Sequence, residues 1–278
     1  MKIYFFVYRN WAFQIAKRIK NIFNLYDVQI FSLVKNEISE YDLKRYNVIL
    51  FDDKKFNKFY YYLNLKKPDI LFFLGWSNLI DKSIYKNFLC ICLHPSKLPF
   101  FRGGSPLQNQ IINNVTKSAI TLFKINKFID GGPITHQSSL FLNGDIKEIF
   151  NRIEKKGLYL ITRFINDFKL KRIVYKKQIL KNKKIYKRRN PNLSYIPINE
   201  LKKKKFLYIN NFIRMLGKPY PNAFIIIKNK KILIQKIKQT IKNEPKISNI
   251  NFKNSKNANG YIVHIKDCNI EILKSELI

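Results

Sequence analysis

Phe88-Leu89-Cys90-Ile91-Cys92-Leu93-His94-Pro95-Ser96-Lys97-Leu98-Pro99 is the stretch whose reading decides the fold. The apolar run Phe88 to Leu93 has the length of a strand buried on both faces, and it stops at a polar loop stiffened by two prolines. His94 follows directly on that strand, where chain and solvent first meet. Working toward the N-terminus, Lys2 to Val7, Val28 to Leu33, Val48 to Phe51 and Asp69 to Leu74 read as further strands of the same kind. Between the first two, Trp11, Ile15, Ile19 and Ile22 recur at three- and four-residue steps, as one face of a helix does. Strands alternating with helices predict an α/β fold: a mostly parallel sheet with helices on both faces. In such sheets chemistry collects at the carboxyl ends of the strands.

Toward the C-terminus, Ser105, Pro106 and Gln108 spell a helix start, with a capping hydroxyl, a proline for the first turn and a Gln three residues after the Ser. Ala119 to Ile125 and Ile134 to Leu142 are expected strands flanking a loop at Asn126 to Pro133. Asp145 and Glu148 open a long amphipathic helix whose inward residues are Ile146, Ile149, Phe150, Ile153, Leu160, Ile161 and Phe164. Near residue 180 the texture changes. Lys181 to Pro191 is rich in Lys and Arg and reads as a connector. Beyond it come a helix at Phe206 to Leu216 and strands at Ala223 to Ile227, Lys231 to Ile237 and Tyr261 to Ile265. The expected layout is a catalytic domain at 1–180, a basic connector at 181–205 and a small, mostly-β module at 206–278.

The chain has 278 residues, 46% of them hydrophobic, with only 9 Gly and 10 Pro, so a packed core is affordable and disorder is excluded. Lys and Arg number 53 against 18 Asp and Glu, a net charge of +35, with +10 over residues 1–150 and +25 over 151–278. Such a field draws phosphates, nucleic acids or anionic surfaces. The abundance of Lys, Asn, Ile, Phe and Tyr reads equally as compositional drift. Three cysteines cannot close a disulfide set, which points to a reducing cytoplasm. No uncharged apolar stretch approaches the ~20 residues of a membrane span, and the N-terminal run lacks a small-residue cleavage site, so neither membrane insertion nor a signal peptide is expected.

The most informative stretch for chemistry runs from Cys90 to Gln137. Asp130 sits in a second loop, Ile129-Asp130-Gly131-Gly132-Pro133, and a carboxylate-held histidine is the usual apparatus for moving a proton off an attacking nucleophile. A structural histidine at a strand end is the alternative. Cys90, Cys92 and His94 alternate on one strand at about 7 Å per step, too wide for one tetrahedral ion, so no metal is expected. Their thiols read as packing groups rather than nucleophiles. Gly75-Trp76-Ser77-Asn78-Leu79 follows another strand end, and an aromatic beside exposed backbone suits a flat heterocycle; Trp76 as plain core is the competing reading.

His94-Pro95-Ser96-Lys97-Leu98-Pro99-Phe100-Phe101-Arg102-Gly103-Gly104-Ser105-Pro106 resembles the signature of the folate-dependent formyltransferase superfamily, in which a His and Ser-x-Leu-Pro-x-x-Arg-Gly precede a later Asp-x-Gly loop, here Asp130-Gly131-Gly132. Ile213-Arg214 and Pro219-Tyr220-Pro221-Asn222-Ala223-Phe224 resemble the opening of the family's C-terminal module. The resemblance implies a Rossmann-like catalytic domain and formyl transfer from 10-formyltetrahydrofolate, as co-substrate, to a primary amine. It implies His94 and Asp130 as the catalytic pair and Gly75, Trp76, Ser77, Leu79 and Gly131 on the folate side. Arg102, Gly104, Ser105, Gln108 and Asn109 are then expected on the substrate side. One departure stands out: the family usually carries an Asn two residues before the His, as oxyanion donor, and this chain has Cys92, a poor donor. A backbone N–H or Asn109 could replace it; otherwise activity falls. The wording from Gly103 to Asn109 and from Pro219 to Phe224 is similar to sugar N-formyltransferases, which favours a nucleotide-linked amino sugar as acceptor. Charged initiator tRNA is the second choice, a homodimer remains an option, and a catalytically silent basic protein binding RNA or a partner is the third reading.

Overall fold

The computed structural model describes residues 1–34, 37–52, 56–227, 229–239, 251–255 and 258–277. The chain divides into two compact units. One comprises Met1–Pro106, Lys117–Phe141 and Phe150–Lys187, the other Leu107–Thr116, Leu142–Ile149 and Arg188–Ile278. The connector expected at 181–205 straddles the break between Lys187 and Arg188.

In the first unit, β1 (Lys2–Val7), α1 (Asn10–Ile22), β2 (Asp27–Leu33), α2 (Glu40–Arg45), β3 (Ile49–Phe51), α3 (Phe56–Lys66), β4 (Ile70–Leu74), α4 (Lys82–Asn87) and β5 (Cys90–His94) alternate as the hydrophobic pattern predicts. The sheet order is β3-β2-β1-β4-β5, all parallel, extended by β7 (Lys117–Lys124), antiparallel to β5, and β8 (Ile134–Phe141), antiparallel to β7. The order reverses between β1 and β4, since β1 leads to β2 on one side and is flanked by β4 on the other. That reversal opens a crevice at the carboxyl ends of these strands.

Period-two alternation sorts the aromatic side chains onto two faces. Phe5 and Phe72 stack at 5.0 Å beneath Phe164 of α6 (Ile146–Lys169), and Trp11 of α1 stacks on Phe150 of the same helix. On the other face Phe6 stacks on Phe31 and Phe73 and meets Phe59 of α3 edge-on. Both faces are therefore covered, as a parallel sheet requires. Ile22, expected inward, is 53% exposed at the last position of α1, whereas Ile19 three residues earlier is fully buried. Asp145 and Glu148 form a reciprocal pair, each carboxylate accepting the other's backbone N–H, at 3.0 and 2.8 Å, and so start α6 where the pattern placed it. Ser105 differs from the expected conformation: it precedes α5 (Pro106–Ile112) with φ of +50°, in the left-handed region rather than the extended one usual for an N-cap.

The second unit contains α5, α7 (Ile198–Lys203), α8 (Phe206–Arg214) and an antiparallel sheet ordered β10-β11-β14-β13-β12, from β10 (Ala223–Ile227), β11 (Lys230–Gln239), β12 (Asn251–Ser255), β13 (Ala258–His264) and β14 (Asn269–Leu277). Residues 240–250 of the expected β module lie outside the described residues. Ile209, Phe212 and Ile213 of α8 are buried in the same unit as Ile225, Ile232 and Ile234 of the sheet. Arg214 donates to the carbonyls of Leu142 and Gly144 and to Asn211 Oδ1, which explains an Arg directly after Ile213. Among the described residues no helix is long and apolar enough to cross a membrane.

Candidate active site

His94 is the last residue of β5 rather than the first of the loop, so its ring inherits the strand's rigidity. The turn after it is fixed by Ser96, which is fully buried: its hydroxyl donates to the Phe100 carbonyl at 2.7 Å, and its own carbonyl accepts the Thr121 hydroxyl at 2.7 Å. Gln137 in turn donates to Thr121 at 2.8 Å. The His-Pro-Ser segment is thus tied to β7 and β8 by a chain of side-chain bonds.

His94 Nδ1 lies 3.5 Å from Asp130 Oδ2, and Nε2 lies 3.0 Å from the Phe101 carbonyl. The two residues that the sequence singled out do meet. Asp130 Oδ2 also accepts the Gly103 backbone N–H at 2.7 Å, so one carboxylate oxygen joins the loop after β5 to the loop after β7. Asp130 has φ of +46°, an unusual conformation for a residue with a Cβ, and its surroundings must hold it there.

Three contacts do so. Arg102, 4% exposed, donates to the carbonyls of Ile129 at 3.3 Å and Lys183 at 3.0 Å. Gln178, also buried, donates to the carbonyls of Asp130 at 3.1 Å and Gly132 at 2.6 Å. Gly132 packs so closely that a Cβ there would fall 1.7 Å from the Lys124 carbonyl oxygen. Arg102, expected at the substrate, therefore spends its Nη groups on the chain's own backbone.

A short parallel pairing of β6 (Arg102–Gly103) with β9 (Ile185–Tyr186) closes this frame. Gly103 has φ of +91°, and a Cβ would meet the Tyr186 carbonyl at 2.4 Å, so only glycine fits between the strands. Gly104 donates to that same carbonyl at 2.8 Å, and Phe101 stacks on Tyr186 at 5.1 Å. Gln178 and Tyr186 escaped the sequence reading: Tyr186 falls in the lysine-rich run from Lys181 read as a connector, and Gln178 just before it. The apolar pair Ile185-Tyr186 inside that run was the available signal.

Cys92 shares a strand face with His94, as its position two residues earlier requires. Burial and the charge of Asp130 push its thiol well above the ordinary cysteine value, and burial raises Cys90 to about 12. Both are therefore neutral thiols at neutral pH, consistent with packing roles. Burial also lifts Cys268, to about 11. All three are expected to react slowly with Ellman's reagent at pH 8 and faster as pH rises, with the full count appearing in guanidinium chloride. A native thiol reacting at pH 8 as fast as free cysteine would contradict this. Among the described residues no group of three or more His, Cys, Asp or Glu could hold a metal.

The loop after β4 lies at the same sheet edge as His94, since Leu74 and Leu93 are register partners. Gly75 has φ of +61° with Trp11 and Arg9 close against it. Trp76 is stacked on Phe51 at 5.9 Å and meets Phe6 and Phe73 edge-on, whereas Ser77 and Leu79 are exposed. A Cβ on Gly131 would meet Phe128 and Leu180, so this glycine also serves close packing. Gln108 and Asn109 are buried on α5 and belong to the second unit.

The sequence profile of the formyl transferase family matches residues 33–165, a span containing the β4 loop, His94, Arg102 and Asp130. Over 100% of this chain and 99% of its own, a methionyl-tRNA formyltransferase from Clostridium thermocellum superposes with a TM-score of 0.71 at 26% identity. Residues 33–165 are thus similar to the formyl transferase family. The sugar 3N-formyl transferase WlaRD, solved in the presence of dTDP and 5-N-formyl-THF, shares this fold, with a TM-score of 0.68 at 20% identity over 99% of this chain and 97% of its own. In sequence, the bifunctional polymyxin resistance protein ArnA of Wigglesworthia glossinidia brevipalpis is 29% identical over 84% of this chain. The chain spans only 35% of that relative's length. Cys92, where the sequence departs from the signature it resembles, falls on the strand face that carries His94.

Proposed function

We propose that the protein transfers a formyl group from 10-formyltetrahydrofolate to a primary amine, and that the acceptor is the amino group of a nucleotide-linked amino sugar. The observation that carries the reading is the His94–Asp130 pair, held at the carboxyl edge of the sheet with His94 Nδ1 3.5 Å from the carboxylate. Folate supplies the activated formyl carbon and a nitrogen able to leave with a proton. His94 stabilises the developing oxyanion or relays the proton lost by the attacking amine, and Asp130 orients the imidazole. The exposed Ser77 and Leu79 in the loop after β4, with Gly75 and Trp76 at its base, are the residues to hold the pterin. Gly104 and Ser105 border the acceptor side. Arg102, Gly131 and Gln178 act by holding the Asp130 loop in place. Three free cysteines agree with work in the cytoplasm.

A tRNA acceptor is the second reading, favoured by the net charge of +35 and by the end-to-end match to a methionyl-tRNA formyltransferase. Incubation with 10-formyltetrahydrofolate and either a panel of aminated nucleotide sugars or charged initiator tRNA separates the two, read as released tetrahydrofolate. Turnover with an aminated nucleotide sugar is expected. Turnover with tRNA alone would replace the acceptor, and none with either class would overturn the enzymatic reading.

A further inference from the structure

At the edge strand β8, two strands away from His94's strand, the first unit holds a second histidine–carboxylate pair. His136 Nε2 lies 2.9 Å from Asp167 Oδ2, and the imidazole is 8% exposed. Its Nδ1 is buried and has no hydrogen-bond partner, so one side of the ring carries an uncompensated polar atom. Arg163 Nε stands 3.6 Å from the same carboxylate oxygen. Hydrogen bonding from His136, supported by Arg163, holds the Asp167 carboxyl below its ordinary value.

These groups line a cleft of about 390 Å³ between β8 and α6. Spacing explains its make-up: His136 and Ser138 share a face of the strand, and Tyr159, Arg163 and Asp167 follow at four-residue steps down one stripe of the helix. The chain then turns back, with the Arg172 N–H on the Asp167 carbonyl at 2.8 Å, which brings Arg172 into the lining, its guanidinium within reach of the cleft. Arg163 has a side chain 59% exposed, free to fork onto an incoming anion.

We propose that this cleft binds a small phosphomonoester that also carries hydroxyl groups, the chemistry of a sugar phosphate. Two guanidiniums match the bidentate geometry of a phosphate. Asp167 already answers His136 and Arg163, and its remaining lone pairs accept a hydroxyl, as do Ser138 and Tyr159. The volume falls in the range of small-molecule sites. Nothing in this assignment depends on formyl transfer.

Ribose 5-phosphate, ribose and inorganic phosphate, each titrated into the full chain at 0.15 M salt, test it by the ring signals of the three histidines, with His136→Gln providing the assignment. Ribose 5-phosphate is expected to shift the His136 signals saturably, inorganic phosphate to do so more weakly, and ribose to do nothing. Arg163→Gln and Arg172→Gln, both in the lining, are each expected to raise the Kd at least about tenfold while leaving the melting temperature unchanged. Signals of His136 that do not move, or a Kd indifferent to both substitutions, would overturn the site. Equal binding of inorganic phosphate and ribose 5-phosphate would overturn the sugar-phosphate class.

Discussion

His94→Ala and Asp130→Ala are each expected to lower the rate of the proposed formyl transfer by at least ~10²-fold, the range set by acid-base groups in a transition state. The two variants are expected to differ in stability. His94→Ala removes a ring bonded to one carbonyl and facing one carboxylate. Asp130→Ala also strands the Gly103 N–H, whose bond to the carboxylate is 2.7 Å long. A bond to a charged acceptor contributes about 1.5–3 kcal/mol, so Asp130→Ala melts measurably lower than wild type. Asp130→Asn separates the two roles, because an amide oxygen can still accept from Gly103 but carries no charge. It is expected to recover most of the stability and little of the rate. Wild-type turnover in either alanine variant would remove that residue from the chemistry.

Gly132→Ala has the second large effect, and it acts without touching a reacting atom. The added methyl would sit 1.7 Å from the Lys124 carbonyl oxygen, and backbone cannot rotate out of the way as a side chain can. Either the loop or the end of β7 must shift, at about 3 kcal/mol on the scale of overpacked interiors. Any shift moves Asp130, two residues earlier, and a displacement of about 1 Å at a reacting pair costs roughly 10²-fold in rate. Gly131→Ala is the milder comparison, since its methyl would meet Phe128 Cβ at 2.8 Å and Leu180 Cδ1 at 2.9 Å, against 1.7 Å from backbone at Gly132, so a smaller loss of both is expected. Urea unfolding and turnover at saturating substrate measure both quantities. A Gly132→Ala protein with wild-type midpoint and rate would show that this close approach is not what positions Asp130.

The first five strands were legible because each is a short apolar run closed by a turn, a pattern few other structures produce. The helix that opens at Asp145 was legible for a similar reason, since its cap and its inward stripe point to the same start. His94 and Asp130 were legible only through their motif; the string of letters places them far apart, and nothing in it measures their approach. The frame around them was not legible. β6 and β9 are two residues each and pair across the length of a domain, too little for any periodicity to register. Arg102 looks like a substrate cation by its charge, yet it is buried against carbonyls, and Gln178 stands among lysines with no pattern to mark it. Ser105 enters α5 through a left-handed turn, which no local preference for serine foretells.

The pairing of β6 with β9 has a consequence for synthesis on the ribosome. A nascent chain released only as far as α6 already holds the imidazole and its carboxylate. It still lacks Gln178, the Lys183 carbonyl and the Tyr186 strand that pin their loops. The centre therefore matures late, after the last stretch of its own unit has left the exit tunnel. A single protease nick in residues 175–185 of the finished protein would return it to that immature condition while most of the sheet stayed intact.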